Sequence, residues 1–259
     1  MLAFHFITYN LDVYLKEKKS DTQTPNIDNF IRFKRKISQN KFLRHVGSCP
    51  YRSPIWDKRV AQLIQKLGTN ARVLDLGSGT RSRGENVINL EIELMPNVDV
   101  VGNGHGLPFK DKVFDAVILE AVLEHVGEPR IVISEIYRVL RPDGWVCVAV
   151  PFIQGYHASP TDYQRYTVWG LENILSDFEK VESGSCVGPT SAVHWIFREY
   201  VGILFSFGNI WLYKIISLFI GWITFPFVFI DYVLMHNKNS HNIASAVYFI
   251  GKRKTVISD

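Results

Sequence analysis

The chain has 259 residues, 47% of them hydrophobic, with a net charge of +4 and a pI near 8.9. That length can bury one substantial core, or one core with an appendage, and the near-zero mean hydropathy of +0.03 excludes a chain that is apolar throughout. The mild basic balance permits an anionic partner, such as a phospholipid surface or a phosphorylated substrate, and gives no support for nucleic acid. Cys49, Cys147 and Cys186 are widely scattered and no pair has metal-ligand or redox spacing, so they read as idle thiols of a reducing cytosol, and no metal is assigned.

Met1 to Tyr9 is apolar but lacks a basic lead-in and a small-residue cleavage pattern, so the body of the chain is expected to stay in the cytoplasm. Asp21 to Pro25 is turn-like. Ile27, Phe30, Ile31 and Ile37 then suggest a modest helix carrying Arg32, Lys34, Arg35 and Lys36, a solvated basic face or a lipid-headgroup patch. From Pro54, the spacing of Ile55, Val60, Leu63, Ile64 and Leu67 predicts an amphipathic helix ending at Gly68.

Arg72 to Thr80 is the stretch around which the chain is organised. Val73, Leu74 and Leu76 supply a buried strand that runs into a turn where Gly77 and Gly79 allow a ligand to approach bare backbone. Thr80 to Asn89 is short and polar, and Asn89 to Ile92 reads as a second strand containing Glu91. Val113–Leu119 and Trp145–Val150 are near-continuous apolar runs, as in central parallel strands covered on both faces. Between them, Ile131, Ile133, Ile136, Val139 and Leu140 mark a helix stopped by Pro142 and Gly144. A helix around Gly170 to Phe178, a strand near Lys180 to Val187 and a last strand at Ala244 to Gly251 follow.

Residues 192–235 are rich in Trp, Phe, Ile, Leu and Val, broken by Gly202, Gly208, Asn209, Gly221 and Pro226, with few charges: Arg198, Glu199, Lys214 and Asp231. A spanning helix needs about 20 apolar residues, and the clean runs Val201–Tyr213 and Ile215–Ile230 fall short of that. They read as helices lying in or dipping into one leaflet, with Trp195, Trp211, Tyr213, Trp222 and Tyr232 near the headgroups. A dimerisation pair or a lid over the core is the alternative. If the last strand rejoins the same sheet, the insert must cross a membrane an even number of times, including zero.

The glycine turn with Asp75 before it resembles motif I of the class I S-adenosylmethionine-dependent methyltransferases. The order of Val100 to Phe109, Phe114 to Val126 and Glu135 to Pro151 is similar to that of the ubiquinone-biosynthesis-like group within them. The resemblance covers about residues 55–190 and the last strand. It implies an α/β fold, a Rossmann-like doubly wound sheet of seven strands, mostly parallel with an antiparallel last strand, plus the hydrophobic helical insert. The divisions are 1–53 as an N-terminal extension, 54–190 as the methyltransferase core, 191–238 as the insert, and 239–259 as the final strand and tail. Two departures stand out. No full helix follows the glycine turn, and Ser82 breaks the Gly-x-Gly-x-x-Gly fingerprint, which argues against a nicotinamide-dependent oxidoreductase.

By resemblance the cofactor is S-adenosylmethionine. Asp75, Gly77, Ser78 and Gly79 would face its amino acid portion and Glu91 its ribose. Asn103, Gly104 and His105 would lie at the adenine, walled by Leu107, Pro108 and Phe109. Glu120, at a strand's carboxyl end, would point into the crevice. On the acceptor side, the loop Tyr156 to Thr167 carries His157 as the expected base, Asp162 second, with Arg165 holding an anionic group and Tyr163 and Tyr166 lining the site. His125 is a further candidate base, or else a structural hydrogen bond near the glycine turn; Asp162 and Arg165 could instead pair in a rigid corner that braces the helix at Gly170. The expected function is O-methylation of a small, lipid-linked or glycan-type acceptor by an enzyme peripherally or monotopically bound to the inner face of the membrane, with a homodimer as an option. The rival is an inactive methyltransferase-like scaffold of a membrane complex.

Overall fold

The computed structural model describes residues 54–255. The expected basic helix near residue 30 and Cys49 lie outside the described residues. Helix α1 (Pro54–Leu67) is followed by β1 (Val73–Leu76), β2 (Val87–Glu91), β3 (Val100–Val101) and β4 (Phe114–Glu120). Then come α2 (Pro129–Val139), β5 (Leu140–Pro151), α3 (Val168–Ile174) and β6 (Phe178–Val187). The insert comprises α4 (Pro189–Ser206), α5 (Ile210–Thr224), a 3-10 segment (Phe225–Ile230) and α6 (Asp231–Leu234), and the last strand is β7 (Ala246–Arg253).

The seven strands lie in the order β3-β2-β1-β4-β5-β7-β6. β1 to β5 pair in parallel, while β7 runs antiparallel between β5 and β6. Alternation along the strands feeds two layers. Leu74, Leu76, Val117, Leu119, Val146 and Val148 face one core with Val132, Ile136 and Val139 of α2 and Leu171 of α3. Val73, Ala116, Ile118, Cys147 and Ala149 face the other, covered by Trp56, Val60 and Leu63 at helical spacing on α1. Full burial of those three side chains is worth roughly 1.5–3 kcal/mol each, which holds a 14-residue helix that would be marginal alone. Its end is the left-handed Gly68, φ +84°.

β5 begins earlier than expected. α2 ends at Val139, so Leu140, expected on the helix, is already extended, and Pro142 to Gly144 lie in an irregular start of the strand, with the register jumping between Phe114↔Leu140 and Ala116↔Trp145.

The insert departs furthest from its sequence pattern. The chain does not break at Lys214, whose ammonium sits 5.2 Å from the Trp211 ring centroid. It breaks at Phe207 and Gly208, both left-handed, and Asn209 restarts the helix by accepting from the N–H groups of Trp211 and Leu212. Helical structure then continues through Ile210–Leu234, 25 residues with a mean hydropathy of 1.8, long and apolar enough to cross a membrane by length and composition. α4 and α5 pack as a hairpin in which Gly202 lies against Ser217 and the Tyr213 ring, Gly221 lies against the Arg198 side chain, and the Tyr213 hydroxyl donates to Glu199. Large residues point outward, with Phe207 88% exposed and Trp211 70%. Asp231 ties the hairpin to its root, accepting from Thr190 N (2.7 Å), Ser191 N (2.9 Å) and Ser191 Oγ (2.6 Å), and so caps the N-terminus of α4.

Candidate active site

Gly77 and Gly79, with φ of +75° and +59°, turn the chain back at the end of β1. The Gly77 and Ser78 N–H groups donate to Leu90 O, stitching the turn to β2. Glu91, the last residue of β2, accepts from Gly79 N at 2.9 Å through Oε2 and from Ile92 N at 2.8 Å through Oε1. A Cβ built on Gly79 would meet nothing within 4 Å, so the space over the turn is open, and the Ser78 Oγ buried beneath it has no hydrogen-bond partner. At the neighbouring strand end, Asn103 Oδ1 accepts from His105 N at 3.0 Å and lies 2.9 Å from His105 Nδ1, which shapes an exposed turn around Gly104. Bare backbone, a carboxylate and an exposed polar turn at the carboxyl ends of β1, β2 and β3 suit a nucleoside with a charged tail.

Several expected roles are corrected here. Asp75 does not face the crevice. It shares the α1 side of β1 with Val73 and is fully buried, with Oδ2 accepting from Arg83 Nε at 2.9 Å. Glu120 shares the α1 side of β4 with Ile118, where it pairs with Arg81 and Arg83 (2.5 Å each) and accepts from Trp56 Nε1 at 2.9 Å. The physical reason is the short segment after Thr80: Arg83, 9% exposed, fills with charge the place a helix would fill with apolar side chains. Burial raises the Asp75 carboxyl above its ordinary value in spite of Arg83 and Arg81, whereas at Glu120 the two arginines outweigh burial and lower it. A hollow of about 350 Å³ remains between α1 and this segment, lined by Asp57, Ala61, Ile64, Arg81 and Ser82. Leu107 and Phe109 do not wall an adenine either; both are core, with Phe109 edge-on to Phe114 at 4.9 Å.

The acceptor side is built where two chain segments clasp. A 3-10 turn, Leu123–His125, follows β4, and the loop 154–166 follows β5. Tyr163 N donates to Glu124 O (2.8 Å), Gln164 Nε2 to Val126 O (2.9 Å) and Thr161 Oγ1 to His125 O (3.3 Å). Sequence spacing expected His125 to bond near the glycine turn; its Nδ1 instead meets Thr161 O of this loop. His157 stands beside it, ring centroids 5.4 Å apart, and both Nε2 atoms lie 3.8 Å from Oε1 of Glu124. Burial opposes protonation of His157, but Glu124, the Gly155 carbonyl and Asp162 together raise its pKa.

Asp162 and Arg165 brace the loop. Asp162 takes both guanidinium nitrogens of Arg165 and the His157 N–H at 2.8 Å, and Arg165 also donates to the carbonyls of Gly155 and Gln164. Burial pushes the Asp162 carboxyl up, yet these donors hold it at about 2, too weak a base to take a proton at neutral pH. Arg165 is therefore not open to an anionic acceptor. Tyr166 is also not a lining residue: it is buried in the core, where burial and the Glu124 charge push its hydroxyl to about 12. Tyr163 remains 60% exposed, its ring against Gly127. Glu124, which sequence reasoning passed over, sits fully buried at the centre of the group. Its only signal was a carboxylate directly before a histidine in a turn.

A parallel sheet of this order, closed by an antiparallel β7 and carrying a glycine turn and an acid at the ends of β1 and β2, defines a class I S-adenosylmethionine-dependent methyltransferase fold. Residues 58–148 match the methyltransferase domain family, which supports a class I S-adenosylmethionine-dependent methyltransferase. It is 34% identical over 122 residues to a demethylmenaquinone methyltransferase of Renibacterium salmoninarum, covering 40% of this chain and 52% of that one. To the enzyme of the same name from Thermotoga maritima it is 26% identical over 189 residues, covering 57% and 82%. The chain spans about half the length or less of most of the curated relatives it matches. In structure it is similar to a chain of the complex between the Haloferax volcanii Trm112 methyltransferase activator and a methyltransferase, with a TM-score of 0.51 at 13% identity, over 88% and 98% of the two chains.

Proposed function

We propose that this chain is an S-adenosylmethionine-dependent methyltransferase that works at a membrane surface on the oxygen of a small amphipathic or lipid-carried acceptor. Bound S-adenosylmethionine supplies an activated methyl group. The backbone of Gly77 to Gly79 and the Glu91 carboxylate hold the cofactor, with Asn103, Gly104 and His105 at the adenine end. His157 and His125 serve the acceptor, and Tyr163 offers an exposed ring for it. Asp75 and Glu120 support this site from behind, through Arg83, rather than touching a ligand.

The observation that carries the membrane part is the inverted hairpin. In water a helix buries its large apolar residues, but here the small Gly202, Ser206, Ser217 and Gly221 are buried, with Tyr213 and Arg198 packed against the two glycines, and Phe207, Trp211, Ile215 and Phe219 face outward. Such small-residue seams suit helices packing in lipid, where large apolar side chains gain nothing by hiding. Both ends of the insert return to one sheet, where Val187 pairs with Ala246. From Tyr200 to Phe207 the chain rises about 11 Å at ~1.5 Å per residue, within the roughly 15 Å of a single leaflet. The root of the hairpin touches the acceptor loop: the Trp195 ring lies 5.6 Å from that of His157. An acceptor held in the membrane plane would thus meet the site without leaving it.

A second reading, a scaffold without turnover, takes its support from the Asp75–Arg83–Glu120 network, which removes two acids from the crevice. Calorimetric titration with S-adenosylhomocysteine separates the two. Micromolar binding in the wild type that is lost in Glu91→Ala supports the enzyme; folded protein that binds nothing favours the scaffold.

A further inference from the structure

Glu124 poses a problem that methyl transfer alone does not answer. Its carboxylate is fully buried, and neither oxygen has a hydrogen-bond partner. An isolated buried carboxylate costs several kcal/mol unless something positive meets it. What faces it is two imidazoles, His125 and His157, each with Nε2 3.8 Å from Oε1. Each imidazole has its other nitrogen against a backbone carbonyl: His125 Nδ1 against Thr161 O, and His157 Nδ1 against Gly155 O at 3.0 Å. Arg165 Nη2, 3.4 Å from the same Nδ1, is too distant to compete for it. A carbonyl can only accept, so Nδ1 carries the hydrogen on both rings, and both Nε2 lone pairs point toward the carboxylate. Two lone pairs and an anion converging on one point make a site that suits a cation.

We propose that Glu124, His125 and His157 bind one divalent transition-metal ion. All three ligand atoms lie within 4.8 Å of one another. Ligands held at about 2.1 Å from one ion sit about 3 to 3.5 Å apart, so the two 3.8 Å carboxylate–imidazole separations close by a few tenths of an ångström, while a separation at the 4.8 Å bound closes by more than about 1 Å through rotation of the rings. Two imidazoles with one carboxylate select zinc, manganese, iron(II) or cobalt(II) over magnesium or calcium. The backbone carbonyls behind each ring are the outer-shell partners that fix a metal-bound histidine. Because three protein ligands leave positions open, the ion can take one oxygen more. Here the inference deepens the methyltransferase reading and rests on it: the added ligand would be the acceptor's hydroxyl oxygen, acidified by the ion so that its proton passes to solvent water as the oxygen takes the methyl group.

The test uses the full chain, purified in detergent and stripped with a chelator. Zinc, manganese, iron(II) and cobalt(II) are titrated separately, metal content is measured after gel filtration, and cobalt is followed by its visible d–d absorption. We expect one ion per chain, with affinity falling about tenfold or more in Glu124→Gln and in His157→Ala, and a cobalt spectrum that the wild type shows and both variants lose. Folded wild type that retains none of the four ions, or variants that retain as much as the wild type, would overturn the proposal. If a variant does not fold, the cobalt spectrum of the wild type decides alone: a weak octahedral spectrum like that of the hydrated ion counts against the site. Titration with S-adenosylhomocysteine on the same stripped protein reports separately on the cofactor site, so loss of one reading leaves the other standing.

Discussion

The sheet core and the α4–α5 hairpin are both rich in large apolar residues, and they place them in opposite ways. In β4, Phe114, Val117, Ile118 and Leu119 are all fully buried. In α5, Trp211, Ile215, Leu218 and Phe219 are at least half exposed, while Ser217 and Gly221 are hidden. Water enforces the first arrangement through the hydrophobic effect; the second is what a surrounding that is itself apolar would favour. Hydrophobicity therefore indicates which environment each region meets, not simply how much it buries.

The sharpest way to probe the contrast is to truncate one side chain of each kind. Phe114→Ala in the core is expected to cost about 3–5 kcal/mol, read as a lower urea midpoint at unchanged m. Next in size is the joint between the two regions. Asp231→Ala uncaps α4 and leaves its buried N–H donors unmatched, an expected loss of about 1–3 kcal/mol, visible as a lower thermal midpoint and faster proteolysis within the hairpin. The hairpin surface should behave inversely. Phe207→Ser, Ile215→Ser and Phe219→Ser should each leave the stability of the domain within about 0.5 kcal/mol while weakening binding to phospholipid vesicles by about tenfold per residue. A hairpin that is a dimer seam in water would instead show a monomer–dimer shift in sedimentation and no vesicle effect.

The smallest expected effect lies on the α1 face, where Glu182 accepts from Arg59 and from Tyr248 Oη. The Arg59 hydrogen bonds lower the Glu182 carboxyl below its ordinary 4.5 in spite of partial burial. A depressed folded pKa contributes stability that is complete above the unfolded value and is lost as pH falls through the folded one. Both side chains are partly exposed, so Glu182→Gln should cost under about 1 kcal/mol at pH 7, with the difference from wild type disappearing below about pH 4. A gap that stays constant between pH 7 and pH 3 would break this assignment.

Much of the fold was legible in the chain itself. Local runs such as Val113–Leu119 declare a strand covered on both faces, and Gly77 with Gly79 declares a turn that only glycine tolerates cheaply. Alternation even contained the correction to Glu120: two residues after Ile118, it must share the α1 face, and a reading by motif position overlooked the parity. Gly208 and Asn209 were legible as a break, but so were Gly202 and Gly221, where the helices continue, and at Lys214 a long side chain lies over Trp211 and lets the helix pass.

Sequence by itself determined the strands, their order by family likeness, the glycine turn and the insert's unusual apolarity, since these follow from local periodicity and steric limits on the backbone. Tertiary structure alone decided which charges meet. Arg83 found Asp75 and Glu120 across 8 and 37 positions, and His157 found Glu124 across 33, because the ends of parallel strands bring distant loops together and no pattern within one segment encodes that meeting.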